Sequence, residues 1–200
     1  NLYLIDMLEK ASADLPLPIL DNGGVKALDI GAQDWYYVFA LERWLRHTSQ
    51  QPVQLKGLEV DGYARYADFH TRRDYALAYA AQTGNPEVRY EVGDFLHSRE
   101  EGYDFVFCFY PLLIRYLVLL WGLPLRYFDP QRFIARATAA ARPGGWLVFF
   151  CHTQREHAVT VDGVGATGLC RLLREGQAMS NLVNFKGEAN DSRFSIWQKC

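Results

Sequence analysis

The sequence predicts an α/β fold: a three-layer sandwich around a doubly wound, mostly parallel seven-stranded sheet that ends in an antiparallel hairpin. Three observations predict it. Short apolar bursts alternate with helix-like segments along all 200 residues, the pattern of successive βαβ units. The burst at 104–109 (DFVFCF) is continuously apolar, as a strand covered on both faces is. Near the carboxyl end two more apolar stretches, 182–186 and 194–198, are joined through the turn-rich GEANDS, a connection short enough only for antiparallel neighbours.

Taken in order, residues 2–13 form a leading helix with Leu2, Ile5 and Leu8 on one side, and the connector LPLPILDNGG carries the chain to residue 24. Residues 25–30 (VKALDI) are the first strand. Asp34 is placed to cap a helix over 35–47, with Val38, Leu41 and Leu45 in its buried stripe. Residues 53–60 (VQLKGLEV) are the second strand. A long helix follows from about Gly62 and stops near Gly84, with Pro86 beyond; Arg65, Asp68, Arg72 and Arg73 are its solvated face. Strands at 88–92 and 104–109 come next. Asp129-Pro130, an N-cap followed by proline at the first helical position, opens a helix with Phe133, Ile134, Ala137 and Ala141 facing inward. Arg142-Pro143-Gly144-Gly145 turns the chain into the fifth strand, 146–151. A helical segment over 168–177 then precedes the terminal pair.

Composition narrows the function classes. The chain is half apolar and 14% aromatic, enough for one well-filled core and too little for two, so 1–200 reads as a single domain with 1–24 as its N-terminal helix and connector. Twenty-one basic against 23 acidic side chains give a net charge of −2, no global field for nucleic acid or anionic lipid. The four cysteines, Cys108, Cys151, Cys170 and Cys200, form no CxxC pair and sit mainly in apolar segments, as reduced thiols do; no metal site is expected. The first residues lack the basic start and apolar centre of a secretion signal, so a cytoplasmic location is expected. The greasiest stretch, 116–125, is half of what a bilayer requires, about twenty residues.

Four local motifs carry a resemblance. They are Leu28-Asp29-Ile30-Gly31 after the first strand, Glu59 closing the second, Gly93-Asp94-Phe95 after the third, and Arg142-Pro143-Gly144-Gly145-Trp146-Leu147 leading into the fifth. In that order, with the terminal hairpin, the chain resembles the class I S-adenosylmethionine-dependent methyltransferases over its whole length. The resemblance implies that Asp29 and Gly31 lie against the cofactor, that Glu59 binds the ribose hydroxyls, that Asp94 receives the adenine amino group and that Phe95 packs on the ring. These roles are physically sound. Gly31 has no Cβ to block the ligand, a carboxylate accepts two hydroxyls at once, and an aromatic face beside one acceptor suits adenine. Open α/β sheets bind ligands beyond the carboxyl ends of their strands, so these positions should converge there.

The chain departs from the family pattern after Gly31, where Ala32-Gln33-Asp34-Trp35-Tyr36-Tyr37 replaces further glycines. Gln33 and Asp34 are then the candidates for the methionine end of S-adenosylmethionine. Trp35, Tyr36 and Tyr37 either enclose the sulfonium by cation–π attraction or belong to core and rim. After the fourth strand the chain has Phe109-Tyr110-Pro111-Leu112 in place of the acid-Pro-Pro-aromatic loop of amino-group methyltransferases. Methyl transfer is an in-line displacement that needs positioning and, for some acceptors, a base. Tyr110 and His152, with His157, are the candidates by location.

The expected function is methyl transfer to a small-molecule acceptor. The alternatives are a non-catalytic domain of the same fold acting through protein partners, and a nicotinamide-dependent oxidoreductase, against which the lone glycine counts. The segment 112–125 (LLIRYLVLLWGLPL), bounded by Leu112 and Leu125, is apolar on nearly all sides except Arg115. It roofs the substrate pocket, packs inside the monomer, or buries in a homodimer.

Overall fold

A computed structural model describes residues 1–20, 23–180, 182 and 191–200. Its helices are α1 (Leu2–Ser12), α2 (Val38–Ser49), α3 (Arg72–Gln82), α4 (Arg115–Leu120), α5 (Pro130–Ala140) and α6 (Gln154–Ala166). Its strands are β1 (Val25–Ile30), β2 (Val53–Glu59), β3 (Val88–Val92), β4 (Tyr103–Phe109), β5 (Ala141–Cys151), β6 (Cys170–Gln177) and β7 (Arg193–Lys199). All seven strands join one sheet in the order β3-β2-β1-β4-β5-β7-β6. The pairs from β3 through β5 are parallel, and β7 lies antiparallel between β5 and β6. The order reverses between β1 and β4, which opens a crevice at their carboxyl ends.

Alternation along each strand splits the apolar residues between two faces. Val25, Ala27, Phe105, Phe107, Trp146 and Val148 face one way with Leu41, Leu45 and Leu8 of α2 and α1. Leu28, Ile30, Val106, Cys108, Leu147 and Phe149 face the other way with Ile134, Ala137 and Val164 of α5 and α6. Because both faces are covered, every residue of β4 is buried, Asp104 included, as its nearly continuous apolarity predicts. Phe105, Phe107 and Phe109 stack along one face at 6.0 and 5.5 Å.

Several elements differ from the sequence-based expectation. The first helix after β1 begins at Val38, not 35, and Asp34 does not cap it; the residue before it is Tyr37. The cause is Trp35, whose backbone is left-handed (φ 57°) and whose indole is buried over Gly57. The helix expected from Gly62 begins at Arg72, where Thr71 and Asp74 form a reciprocal capping box. Arg72 is therefore not on a solvated face: its Nη1 lies 3.2 Å from an Asp61 carboxylate oxygen, and its side chain is 18% exposed. The helical segment expected over 168–177 is instead β6, and the helix lies earlier, as α6, with Thr153 accepting from the Glu156 N–H. The strand expected at 182–186 falls, beyond Leu182, outside the described residues, as does most of its connection to β7. The antiparallel hairpin stands with β6 as its first strand.

Asp129 accepts from the Arg132 N–H at 3.0 Å with Pro130 behind it, as expected. Among the described residues no helix is long and apolar enough to cross a membrane, and no three His, Cys, Asp or Glu side chains gather as metal ligands do.

Candidate functional site

Two clefts open at the carboxyl ends of the strands and meet at a corner formed by Gly31, Gln33 and Tyr110. The first cleft runs from the β1 tip across β2 and β3 and takes in Glu59, Asp94, Phe95 and Arg72. Its roof is apolar: Val118 and Trp121 of the α4 region, with Leu123 and Tyr127. The second cleft runs the other way, between α1 and Tyr36, Tyr37 and Phe109.

At the β1 tip Gly31 adopts φ 79°, and a Cβ built there would meet nothing within 4 Å. That space is the cleft. The turn that follows is held by Glu59, only 5% exposed, whose Oε2 accepts the Gln33 N–H and whose Oε1 accepts the Asp61 N–H, both at 2.8 Å. Arg72 stands 4.0 Å from the same carboxylate. The Gln33 carbonyl accepts from the Tyr90 hydroxyl. Four non-glycine residues with left-handed backbone, Gln33, Trp35, Tyr110 and Leu112, flank the site. Such strain persists only where surrounding bonds over-determine it, and it concentrates at ligand sites.

Beneath this turn Asp29 is completely buried. Its Oδ2 accepts from Trp35 Nε1 and from the Tyr37 hydroxyl, each at 2.8 Å, while Oδ1 is buried without a partner. Burial pushes its carboxyl up to about 7, against the two hydrogen bonds that favour the ion. Burial and the neighbouring Asp29 push the Tyr37 hydroxyl up as well.

The floor beyond β3 is Asp94, which caps a short 3-10 turn (Phe95–His97). Its Oδ1 accepts the Leu96 N–H and its Oδ2 lies 2.9 Å from His97 Nδ1. Phe95 meets Phe133 edge to face at 5.4 Å, so the apolar wall is itself braced. On the opposite side the loops after β4 and β5 share one anchor. Buried Glu156 accepts the Leu113 N–H and the His152 N–H, both at 2.8 Å. Burial raises its carboxyl despite those bonds.

The structure thus brings Gly31, Gln33, Glu59, Asp94, Phe95 and Tyr110 to one cleft. Other sequence candidates lie elsewhere. Asp29 lies under the turn and not in the wall. Asp34 points away, accepting from the Tyr66 hydroxyl at 2.7 Å. His152 lies behind Tyr110, ring to ring at 4.2 Å, its Nε2 buried without a partner and its imidazole held below the usual pKa by burial. His157 sits on α6 with Nε2 3.2 Å from the Phe194 carbonyl oxygen. Trp35 is core, so the three-ring sulfonium cage does not form; Tyr36 and Tyr37 line the second cleft.

The inner face of 112–125 packs inward: Leu117 and Val118 are buried, and Val118, Trp121 and Leu123 cover the cleft that holds Glu59 and Asp94, not the second cleft. The outer face leaves Tyr116 at 68%, Leu119 at 54% and Leu120 at 64% exposure. Sequence reasoning missed Arg72, Glu156, Tyr90 and the lining from α1. The capping pattern at Thr71 was a readable sign that Arg72 begins a helix, and Thr153 three residues before Glu156 was another; Tyr90 and the α1 lining carry no local signature.

No family model matches the sequence, and no curated protein matches it. Solved structures do match. TrmN from Thermus thermophilus aligns with a TM-score of 0.62 at 17% identity, over 97% of this chain and 47% of that one. The N-methyltransferase NodS from Bradyrhizobium japonicum, in complex with S-adenosyl-L-homocysteine, aligns with 0.59 at 14%, over 96% and 83%. A putative class I S-adenosylmethionine-dependent methyltransferase from Listeria monocytogenes aligns with 0.63 at 17%, over 100% and 58%. The chain spans about half the length of the TrmN and Listeria chains. At these identities the likeness establishes the fold, which is the Rossmann-like fold of these methyltransferases.

Proposed function

We propose that this chain is an S-adenosylmethionine-dependent methyltransferase acting on a small-molecule acceptor. The observation that carries the reading is the meeting of Gly31, Glu59 and Asp94 in one cleft at the point where the strand order reverses. The residues fit the cofactor. Gly31 leaves the strand tip uncovered, and a carboxylate has about four lone-pair positions, of which the loop amides take two on Glu59. Two remain for the ribose hydroxyls. Ile30, Leu58 and Phe95 give the base an apolar slot, with Asp94 as acceptor at its edge.

A nicotinamide dinucleotide fits less well. Its pyrophosphate needs bare N–H groups at a helix start behind a glycine-rich turn, and here Trp35 and Tyr37 occupy that turn.

When bound, S-adenosylmethionine supplies a methyl group on a cationic sulfur. The chain's task is to position the acceptor and exclude water. Gln33 and Tyr110 flank the corner between the clefts, and Trp121 and Val118 close the roof over the apolar side. Glu156 fixes the loop that carries Tyr110 through Leu113 and the loop behind it through His152.

Calorimetric titration with S-adenosylhomocysteine and, separately, with NAD tests the reading. Saturable binding of the first without the second is expected; preference for NAD overturns it.

A further inference from the structure

The second cleft shares with the first the corner at Gln33, a candidate for the methionine end of the cofactor; beyond that corner, between α1 and the tyrosines, the cofactor reading leaves it without an occupant. Leu4 and Met7 of α1 form one wall, and Tyr36, Tyr37 and Phe109 form the other. Among the described residues no charged side chain lines it; the polar groups are the side-chain amides of Asn1 and Gln33 and tyrosine hydroxyls. The aromatic wall is rigid. Tyr37 meets Tyr36 at 5.3 Å and 88°, and meets Phe109 at 5.6 Å and 85°, while its hydroxyl is tied to Asp29.

Each cleft offers about 120 Å³. A closed cavity of about 150 Å³ takes a benzene ring, so clefts of this size, open at the mouth, admit a planar ring system without enclosing it. In the first cleft that ring is the base, with the rest of the nucleoside running through the open corner. In the second cleft a planar ring reaches the same corner from the other side. Among the described residues no charged side chain lines the second cleft to pair with a charged guest, and an unpaired charge set against apolar walls is disfavoured. A protonated amine has no lone pair with which to attack carbon. The guest is therefore neutral.

Resting on the transferase reading, we infer that the second cleft is the acceptor site and that it selects an uncharged aromatic carrying a hydroxyl or amino nucleophile. The ring stacks between the Leu4–Met7 wall and Tyr36 and Tyr37, and its heteroatom points to the corner at Gly31, Gln33 and Tyr110. The specificity-determining residues are Met7, Tyr36, Tyr37 and Phe109. In the transfer, the heteroatom's lone pair forms the new bond to the methyl carbon as the carbon–sulfur bond breaks. The bonding pair stays on sulfur, and the heteroatom's proton leaves to solvent.

The chain has two methionines, Met7 in this wall and Met179, half exposed and outside both clefts. Methyl-labelled methionine therefore gives one reporter and one internal control. Titration of the whole chain with 4-methylphenol should shift the Met7 methyl signal through the ring current and leave Met179 in place, whereas 4-methylbenzoate should shift neither. Tyr36 is 51% exposed, so Tyr36→Ala keeps the fold. It should weaken 4-methylphenol about tenfold, the upper end of one aromatic pair's contribution, with S-adenosylhomocysteine affinity unchanged. The inference is overturned if Met7 does not respond to 4-methylphenol, if 4-methylbenzoate shifts it equally, or if Tyr36→Ala leaves the titration unaltered. A Met7 response in a chain that fails to bind S-adenosylhomocysteine would preserve the aromatic site and refute the transferase reading.

Discussion

Replacing Glu59 separates a ligand role from a structural one, because the carboxylate is placed for both. In Glu59→Ala the Gln33 and Asp61 N–H groups lose their shared acceptor. An unmade buried hydrogen bond costs about 1–3 kcal/mol, and cleft water recovers part of that, so a loss of about 2 kcal/mol in stability is expected. For a chain of this size that lowers the melting temperature by roughly 4–8 °C. Independently, the ribose hydroxyls lose hydrogen bonds to a charged group, worth about 1.5–3 kcal/mol, or roughly 10- to 150-fold in S-adenosylhomocysteine affinity. The two effects are read by different assays, thermal denaturation without ligand and calorimetric titration below the variant's melting range. If the melting temperature falls as stated while the dissociation constant stays within about twofold of the parent, Glu59 only ties loops, and the ribose assignment is wrong.

Three further outcomes follow from the geometry. Gly57→Ala sets a Cβ 2.7 Å from the buried Trp35 ring, so denaturant unfolding should show a loss of about 1–3 kcal/mol; no loss means that the indole does not lie over β2. Glu156→Ala strips the acceptor from the Leu113 and His152 N–H groups at once and should cost about 3 kcal/mol by the same measurement, against a negligible effect if those loops hold themselves. Asp29 is displaced upward from 3.8 to about 7, so the fold favours its protonated form. Its contribution is fully present below about pH 4 and is lost as pH rises through 7, a difference on the order of 4 kcal/mol. Asp29→Asn cannot ionise and should flatten the stability profile between those limits; an unchanged slope would assign the pH dependence to other groups.

The central sheet was legible because burial on both faces leaves a plain mark: β4 is apolar at nearly every position, and Gly31, Glu59 and Gly93-Asp94 punctuate strand tips with residues that suit a ligand. The carboxyl-terminal third was less legible. The residues that α6 buries are Glu156, Thr160 and Val164, two of them polar, so no apolar stripe announces a helix. The edge strand β6 buries none of its residues, and without an inner face it shows no alternation. The turn after β1 misled for another reason. Asp34 before an aromatic run has the composition of a cap, but the run is spent on placing Trp35 in the core, which forces a left-handed backbone that the residue type does not foretell. Glu156 stands three residues after its cap Thr153, but nothing local shows that its carboxylate reaches back to the His152 N–H and across to the Leu113 N–H of a distant loop.

A crystal of the chain soaked with S-adenosylhomocysteine tests the central claim most directly. The ribose hydroxyls should lie on the Glu59 carboxylate, the adenine beside Phe95 with its amino group toward Asp94, and the sulfur near Gly31 and Tyr110. A nucleoside seated elsewhere, or a cleft that stays empty at saturating ligand, would contradict the account.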